Sequence, residues 1–87
     1  MKEGQIVKIT SSGFDFLKGF LGETKEIFKS SIDNYKSTAY LVFLTSRGDG
    51  SGQGTIELVF AEEELSLATS REAFLYYLYG SGALLNE

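Results

Sequence analysis

Short apolar runs alternate with polar, glycine-containing segments along the 87 residues, a pattern typical of small β proteins. The five predicted strands are residues 5–9, 23–29, 38–45, 55–60 and 66–68. Segment 38–45 gives the strongest prediction, because it is apolar over most of its length and favours a strand covered on both faces. In the fourth strand, Ile56, Leu58 and Phe60 fall on one face and Glu57 on the other.

The connections between these strands differ in composition. They are an aromatic-rich loop over 10–22, a polar turn over 30–37, a glycine-rich flexible loop over 46–54 and a tight acidic turn over 62–65. In the first strand, Val7 and Ile9 share one face, while Lys8 lies on the other. In the second strand, Thr24 and Ile27 are three residues apart, which indicates a β-bulge.

The hydrophobic period changes after residue 68. Thr69 and Glu72 have the Ser/Thr-x-x-Glu spacing of a capping box, which predicts a helix that runs to Tyr79 and stops at Gly80. Its apolar stripe consists of Phe74, Leu75 and Leu78, with Tyr77 alongside. Since this stripe should face the strands, we expect Tyr76 and Tyr79 to lie on other faces of the helix.

Histidine and cysteine are both absent. Their absence excludes Ser-His and Cys-His nucleophilic sites, disulfides and ordinary zinc sites. We therefore expect a protein that is not an enzyme and has no metal, no cofactor and no small-molecule substrate.

The sequence also lacks the features of a membrane protein. No apolar run follows the first four residues, so we expect no signal peptide. The longest strictly apolar stretch, residues 39–44, is far shorter than the ~20 residues of a membrane-spanning helix. We expect a soluble, cytoplasmic protein without membrane insertion.

The net charge of −4 is distributed unevenly. Residues 1–48 have a balance of +2 and residues 49–87 a balance of −6. This distribution fits either ordinary solubility charge or a dipolar surface with a mildly basic face and an acidic one.

Two segments near the start resemble the KOW-type motif of SH3-like barrels. Residues 4–9 look like its entry strand, and residues 18–27 fit the Lys-Gly-x-x-Gly-x-(apolar)-x-x-Ile core, with Thr24 in place of the usual valine. In this motif we expect Gly19 and Gly22 to allow the positive φ angles of a tight turn.

A third segment extends the resemblance as far as residue 68. Residues 60–65 are similar to the closing segment of several such barrels, including small accessory subunits of photosynthetic complexes such as photosystem I subunit IV. The resemblance implies a mainly β fold: a five-stranded SH3-like barrel followed by a C-terminal α-helix. The expected divisions are a barrel over 1–68, a helix packed on it over 69–80 and a tail over 81–87.

Members of this superfamily bind ribosomal RNA, transcription machinery, membrane-complex subunits or soluble redox proteins. The resemblance therefore implies a binding protein, but it does not select the partner. Our first hypothesis is a protein-binding module, an accessory subunit or small regulator of a larger assembly. Its candidate protein-binding residues are aromatic, as interface hot spots often are, and comprise Phe14, Phe16, Phe20, Tyr76 and Tyr79.

The aromatic loop has two interpretations. Phe14 with Leu17 or Phe20 could cap the open end of the barrel, or at least one ring could be exposed as an anchor for a partner. The helix tyrosines are likewise either a docking surface or amphipathic cover.

Two other functions remain as alternatives. A KOW-type nucleic-acid-binding protein would use lysines, for which the candidates are Lys8, Lys18, Lys25 and Lys29. This hypothesis ranks second because the sequence pI of about 4.7 is far below that of a dedicated binder. A small acidic, phage-type inhibitor that blocks a nucleic-acid-binding partner is the third.

Overall fold

A computed structural model describes residues 1–11, 13, 15–32, 35–45 and 55–86. The strands are β1 (Ile6–Ile9), β2 (Leu21–Ile32), β3 (Tyr35–Thr45), β4 (Thr55–Ala61) and β5 (Leu65–Leu67). One α-helix, α1 (Ser70–Tyr79), follows them, and short 3₁₀ segments occupy Asp15–Leu17, Glu62–Glu64 and Ala83–Asn86. The glycine-rich segment 46–54 lies outside the described residues.

The strands form one antiparallel sheet in the order β4-β3-β2-β1-β5. The first strand therefore lies between the second and the last, and β4 and β5 stand at the two edges. The prediction of a mainly β protein with five strands and a C-terminal helix is confirmed. The sheet is open, so its two edges present backbone groups that a closed barrel would pair.

The predicted polar turn over 30–37 is wrong in extent. The backbones of β2 and β3 remain paired as far as Ile32 and Tyr35, so most of the segment is strand. The serines and the Asp33-Asn34 pair suggested a turn, but serine is compatible with a strand when a neighbouring strand satisfies its backbone.

The predicted bulge in β2 is confirmed. Pairing with β3 passes from Thr24–Val42 to Glu26–Leu41, so Lys25 is the extra residue. Thr24 is fully buried, and its hydroxyl accepts a hydrogen bond from the Gln5 N–H at 3.0 Å. The same hydroxyl lies 2.5 Å from the carbonyl oxygen of Lys2, to which it donates. Threonine at this position thus holds the N-terminal turn against β2, which valine could not do.

The sheet has two apolar faces, which we call the core face and the helix face. The core face bears the main core, formed by Val7, Ile9, Leu17, Tyr40, Val42, Leu44, Phe60 and Leu65. The helix face bears a smaller cluster of Ile6, Leu21, Tyr76 and Ala83. Because successive side chains of a strand alternate, β1 contributes to both clusters, and both of its faces are covered.

The two glycines of the KOW-like segment have different roles. Gly19 has a φ of 88°, as expected for a tight turn. Gly22 was expected to have a positive φ as well, but this was wrong, because it lies within β2 opposite Val7. A Cβ atom at Gly22 would overlap the side chain of Val42 and lie 2.8 Å from the carbonyl oxygen of Phe43. Glycine is therefore required there for close packing of β2 against β3.

The capping box of α1 is confirmed. The Thr69 hydroxyl accepts a hydrogen bond from the Glu72 N–H at 3.1 Å, and Glu72 Oε1 accepts one from the Thr69 N–H at 2.9 Å. Glu72 also pairs with Lys8 of β1 at 3.1 Å. The Thr69 backbone hydrogen bond and then the Lys8 ammonium lower the pKa of Glu72, against the opposing effect of burial. Gly80 ends the helix with a φ of 85°, as predicted.

The helix packs only in part on the side that the apolar stripe predicts, since of the three stripe residues Leu75 alone packs against the helix-face cluster. Phe74 and Leu78 are exposed, whereas Tyr76 is only 4% exposed and packs in the helix-face cluster. The expectation that Tyr76 lies on an open face is therefore wrong. Glu72 and Tyr76 are four residues apart and lie on the same side of α1, so the ion pair with Lys8 and the burial of Tyr76 both belong to the side that faces the sheet. In the described part of the chain, no helix is long and apolar enough to cross a membrane.

Candidate functional site

The turn after α1 joins the sheet at one end. Ser81 is buried, its N–H donates to the Thr45 carbonyl at 2.8 Å, and its hydroxyl accepts from the Thr45 N–H at 2.9 Å. Its own carbonyl accepts from the Leu21 N–H at 2.8 Å. These hydrogen bonds fix the start of the tail to the sheet. Ala83 then packs in the helix-face cluster, and Leu84 packs against it.

An apolar groove of about 240 Å³ opens beside this turn. Its walls include Phe16, Leu17, Phe20, Leu44, Ile56 and Ser81. Leu17 and Leu44 are each 3% exposed and belong to the main core, so the groove leads directly from solvent to the core. It is a place where the open sheet leaves the core accessible.

The aromatic loop forms one wall of the groove through a short 3₁₀ turn. Asp15–Leu17 form this turn, and the Lys18 N–H donates to the Asp15 carbonyl at 3.2 Å. The turn directs Leu17 into the core and leaves Phe16 70% exposed. Phe20 is half-buried and packs against the main core. Leu17 and Phe20 therefore cover the core, and Phe16 is the ring of this turn that is exposed to solvent.

Another part of the wall comes from β4, whose core-face side chains become more exposed from Phe60 back to Ile56. The predicted sharing of one face by Ile56, Leu58 and Phe60 is confirmed, since they pair with Leu44, Val42 and Tyr40. Phe60 is buried and Leu58 half-buried, but Ile56 is 52% exposed. The first residues of β4 thus extend beyond the main core, and Ile56 faces the groove.

The five predicted protein-binding residues do not form one site. Phe16 and Phe20 come together at the groove. Tyr76 is buried on the helix face of the sheet, and Tyr79 is 58% exposed at the end of α1. Phe14 lies outside the described residues.

Three of the four candidate nucleic-acid lysines have acidic neighbours. Lys8 pairs with Glu72 at 3.1 Å. Lys18 lies 3.6 Å from Asp15, and Lys25 lies 3.3 Å from Glu23. The Lys25 ammonium is also 5.0 Å from the centre of the Phe43 ring, a cation–π distance. Lys29 is exposed on β2. Paired carboxylates reduce the positive potential that phosphate binding needs.

The acidic turn after β4 is held against the core by a tyrosine. The Tyr40 hydroxyl donates to Glu62 Oε1 at 3.2 Å. Burial, followed by the nearby Glu62 carboxylate, raises the pKa of Tyr40, so this hydroxyl stays protonated and keeps donating at neutral pH. Among the described residues, no three acidic side chains are grouped to hold a metal ion.

Sequence reasoning missed two parts of the groove, Ile56 and Ser81. Ile56 was assigned to the core face, which is right, but the alternation of β4 does not reveal where the cover of that face ends. Ser81 hydrogen-bonds to Thr45, which is 36 residues away, so no local pattern could have indicated its role. Neither position has a pattern that indicates a pocket.

The groove can hold an apolar side chain, because its named walls are mostly hydrocarbon and include no titratable group. The lining residues that the structure describes supply neither an acid nor a base. Comparison with protein-family models, with curated proteins and with solved structures gives no match for this chain.

Proposed function

We propose that this protein is a non-enzymatic protein-binding module, an accessory subunit or small regulator of a larger assembly. The observation behind the proposal is the exposure of Phe16 beside an apolar groove that reaches the main core. A partner side chain seated there would bury both its own surface and the Phe16 ring. Interfaces obtain much of their free energy from such aromatic anchors and pockets.

The strand order supports a second part of the proposal, an SH3-like architecture. In the order β4-β3-β2-β1-β5, the first strand lies beside the last. The two edge strands are β4 and β5, and a stronger curl of the sheet would bring them toward each other. The positive φ of Gly19 fits the turn of the KOW-type motif. This architecture specifies how the chain folds, and the binding function is argued from the groove.

Nucleic-acid binding receives less support. Lys8, Lys18 and Lys25 all lie near carboxylates, as described above. The chain as a whole has a net charge of −4. Phosphate contacts need a local excess of positive charge, which these pairs remove.

The test is a capture experiment from lysate with matched phenylalanine variants. The wild type, Phe16→Ala and Phe28→Ala are immobilised, and bound proteins are identified by mass spectrometry. Phe28 is the control because it is an exposed phenylalanine of β2 that does not line the groove. We expect a protein whose capture falls roughly 30-fold with Phe16→Ala, the effect of an interface hot spot, but stays near the wild-type level with Phe28→Ala.

Nuclease treatment of the lysate separates the alternatives. Capture of a protein partner should survive nuclease and moderate salt. The proposal fails if no bound protein depends on Phe16, or if binding disappears with nuclease and with the double substitution of Lys25 and Lys29 by Glu. Urea unfolding of each variant shows whether the immobilised proteins are folded, so that differences in capture can be assigned to the substituted side chain.

A further inference from the structure

We propose that the partner binds as an added strand on β4. In this inference, an extended segment with alternating apolar and Lys/Arg side chains pairs with residues 55–59 and places an apolar side chain in the groove. The strand addition stops before Ala61, whose N–H already donates to Glu64 Oε1 at 2.8 Å. The inference rests on the proposed function, because it specifies how the same groove is occupied. It adds the partner's conformation and its charge pattern.

The first argument is the open edge of β4. In the described part of the chain, β3 is its only neighbouring strand. The two strands pair residue for residue from Thr45–Thr55 to Ala39–Ala61, without a bulge. Edge strands of natural proteins are usually protected by lysine, proline, a bulge or short length. The seven residues of β4 include neither lysine nor proline, whereas the other edge strand, β5, has only three residues.

The second argument is that apolar side chains are exposed on both faces of β4. Ile56 is 52% exposed on the core face, and Val59 is 59% exposed on the helix face. A partner helix, or a partner with a flat surface, would contact one face of the sheet only. A strand laid against β4 has side chains on both faces of the sheet and can cover both residues at once.

The third argument is continuity with the groove. Ile56 belongs to β4 and also lines the groove with Phe16. A segment paired with β4 therefore reaches the groove at the Thr55 end without leaving the strand conformation. An apolar side chain of the partner placed opposite Ile56 would contact both Ile56 and Phe16 in the groove.

The acidic side chains near β4 favour a basic partner segment. Residues 55–67 include Glu57, Glu62, Glu63 and Glu64 but no lysine or arginine. Glu57, Glu62 and Glu63 are exposed. Opposite charges across a strand pair are stabilising and like charges are not. A basic segment fits this edge, whereas a second copy would bring another set of carboxylates without a cation to pair with them.

The two-residue period of a strand sets the pattern of the segment. Residues opposite Ile56 and Leu58 should be apolar, because these two side chains share the core face. The residue opposite Glu57 lies on the helix face and should be lysine or arginine. An alternating apolar and basic sequence satisfies both conditions.

The experiment uses phage-displayed random peptides of about 12 residues, long enough to cover β4 and reach the groove. Peptides selected on the wild-type protein are sequenced, and their affinities for variants are measured by fluorescence anisotropy. The variants are Phe16→Ala in the groove, Glu57→Lys and Val59→Lys on the edge, and Phe28→Lys as control. Phe28 is an exposed residue on the interior strand β2, so a lysine there adds the same charge away from the edge.

We expect the selected peptides to alternate apolar and basic residues. Their affinity should fall roughly tenfold or more with Glu57→Lys, Val59→Lys and Phe16→Ala, and change less than about threefold with Phe28→Lys. Binding should also weaken as salt rises, since the charged edge is exposed.

The outcomes distinguish the two proposals. Peptides that depend on Phe16 but ignore both edge substitutions would overturn strand addition and leave the proposed function standing. Peptides that depend on neither site, or no enrichment over a blank support, would overturn both. A concentration-dependent dimer that Val59→Lys dissociates would assign the edge to a second copy and reject the basic segment.

Discussion

Strands β1 and β4 have similar apolar residues and opposite surroundings. In β1, Ile6, Val7 and Ile9 are all buried, because strands flank it on both sides and α1 covers one face. In β4, Ile56 and Val59 are more than half exposed. Among the residues that the structure describes, the helix covers the β1–β2 half of the helix face and leaves the β3–β4 half without such cover.

The difference shows that composition does not distinguish a central strand from an edge strand. Isoleucine and valine favour strands in either place, because their preference reflects a pleated, half-buried surface. Where the fold covers them, they contribute to stability. Where it leaves them open, as at Ile56 and Val59, they are available to a partner.

The largest expected effect tests how tightly the covered half is packed. Gly22→Ala should lower the free energy of unfolding by about 3 kcal/mol or more, because its Cβ would overlap Val42 and approach the Phe43 carbonyl. Urea denaturation followed by circular dichroism measures this change. The control is Gly13→Ala, where nothing lies within 4 Å of the added Cβ. Equal stability of the two variants would mean that β2 and β3 are not packed as described.

A smaller effect compares the same substitution in the two strands. Val7→Thr should cost about 2 kcal/mol, because it places a hydroxyl at a fully buried position. Val59→Thr should change stability by no more than about 0.5 kcal/mol, since Val59 is largely exposed and threonine also favours strands. Chemical denaturation of both variants under one set of conditions provides the comparison. A similar loss for both would show that β4 is covered in solution, and the contrast between the strands would disappear.

The smallest effect concerns the contact that holds α1 on β1. Glu72→Gln keeps an acceptor for the capping box but removes the charge that pairs with Lys8, so we expect a loss of about 1 kcal/mol at neutral pH. The pKa of Glu72 is lowered on folding, so its charge stabilises the protein above the ordinary pKa of 4.5. That contribution disappears as the pH falls through the lowered value.

The pH dependence supplies the decisive measurement for this contact. The stability difference between wild type and Glu72→Gln should be constant near neutral pH and shrink below about pH 4.5. Glu63→Gln is the control, because Glu63 is an exposed glutamate outside the contact between α1 and β1. A difference that persists unchanged at low pH would assign the effect to the amide itself and not to the lost charge.

Much of the fold could be predicted from local signals. The helix limits followed from Thr69, Glu72 and Gly80, whose capping roles depend on neighbouring residues only. The bulge at Lys25 followed from a broken period. The extent of the β2–β3 hairpin could not be predicted, because the polar residues 30–37 resemble a turn in sequence and only pairing between the two strands makes most of them strand.

The candidate site was predicted in part. Phe16 and Phe20 were proposed from the density of aromatic residues, but the sequence could not say which ring the Asp15–Leu17 turn would expose. Tyr76 was placed on the wrong side because its burial depends on Ile6 and Leu21, which are distant in sequence. Contacts over such distances have no local signature.

The sequence by itself determined the strands, the capped helix and the exclusion of histidine and cysteine chemistry, since each depends on residue type and short-range spacing. The tertiary structure alone decided which apolar residues are covered. It placed β1 in the centre and β4 at the edge, turned Tyr76 inward and left Phe16 and Ile56 facing a groove. Burial depends on neighbours from distant parts of the chain, so strands of similar composition became a core element and a candidate docking edge.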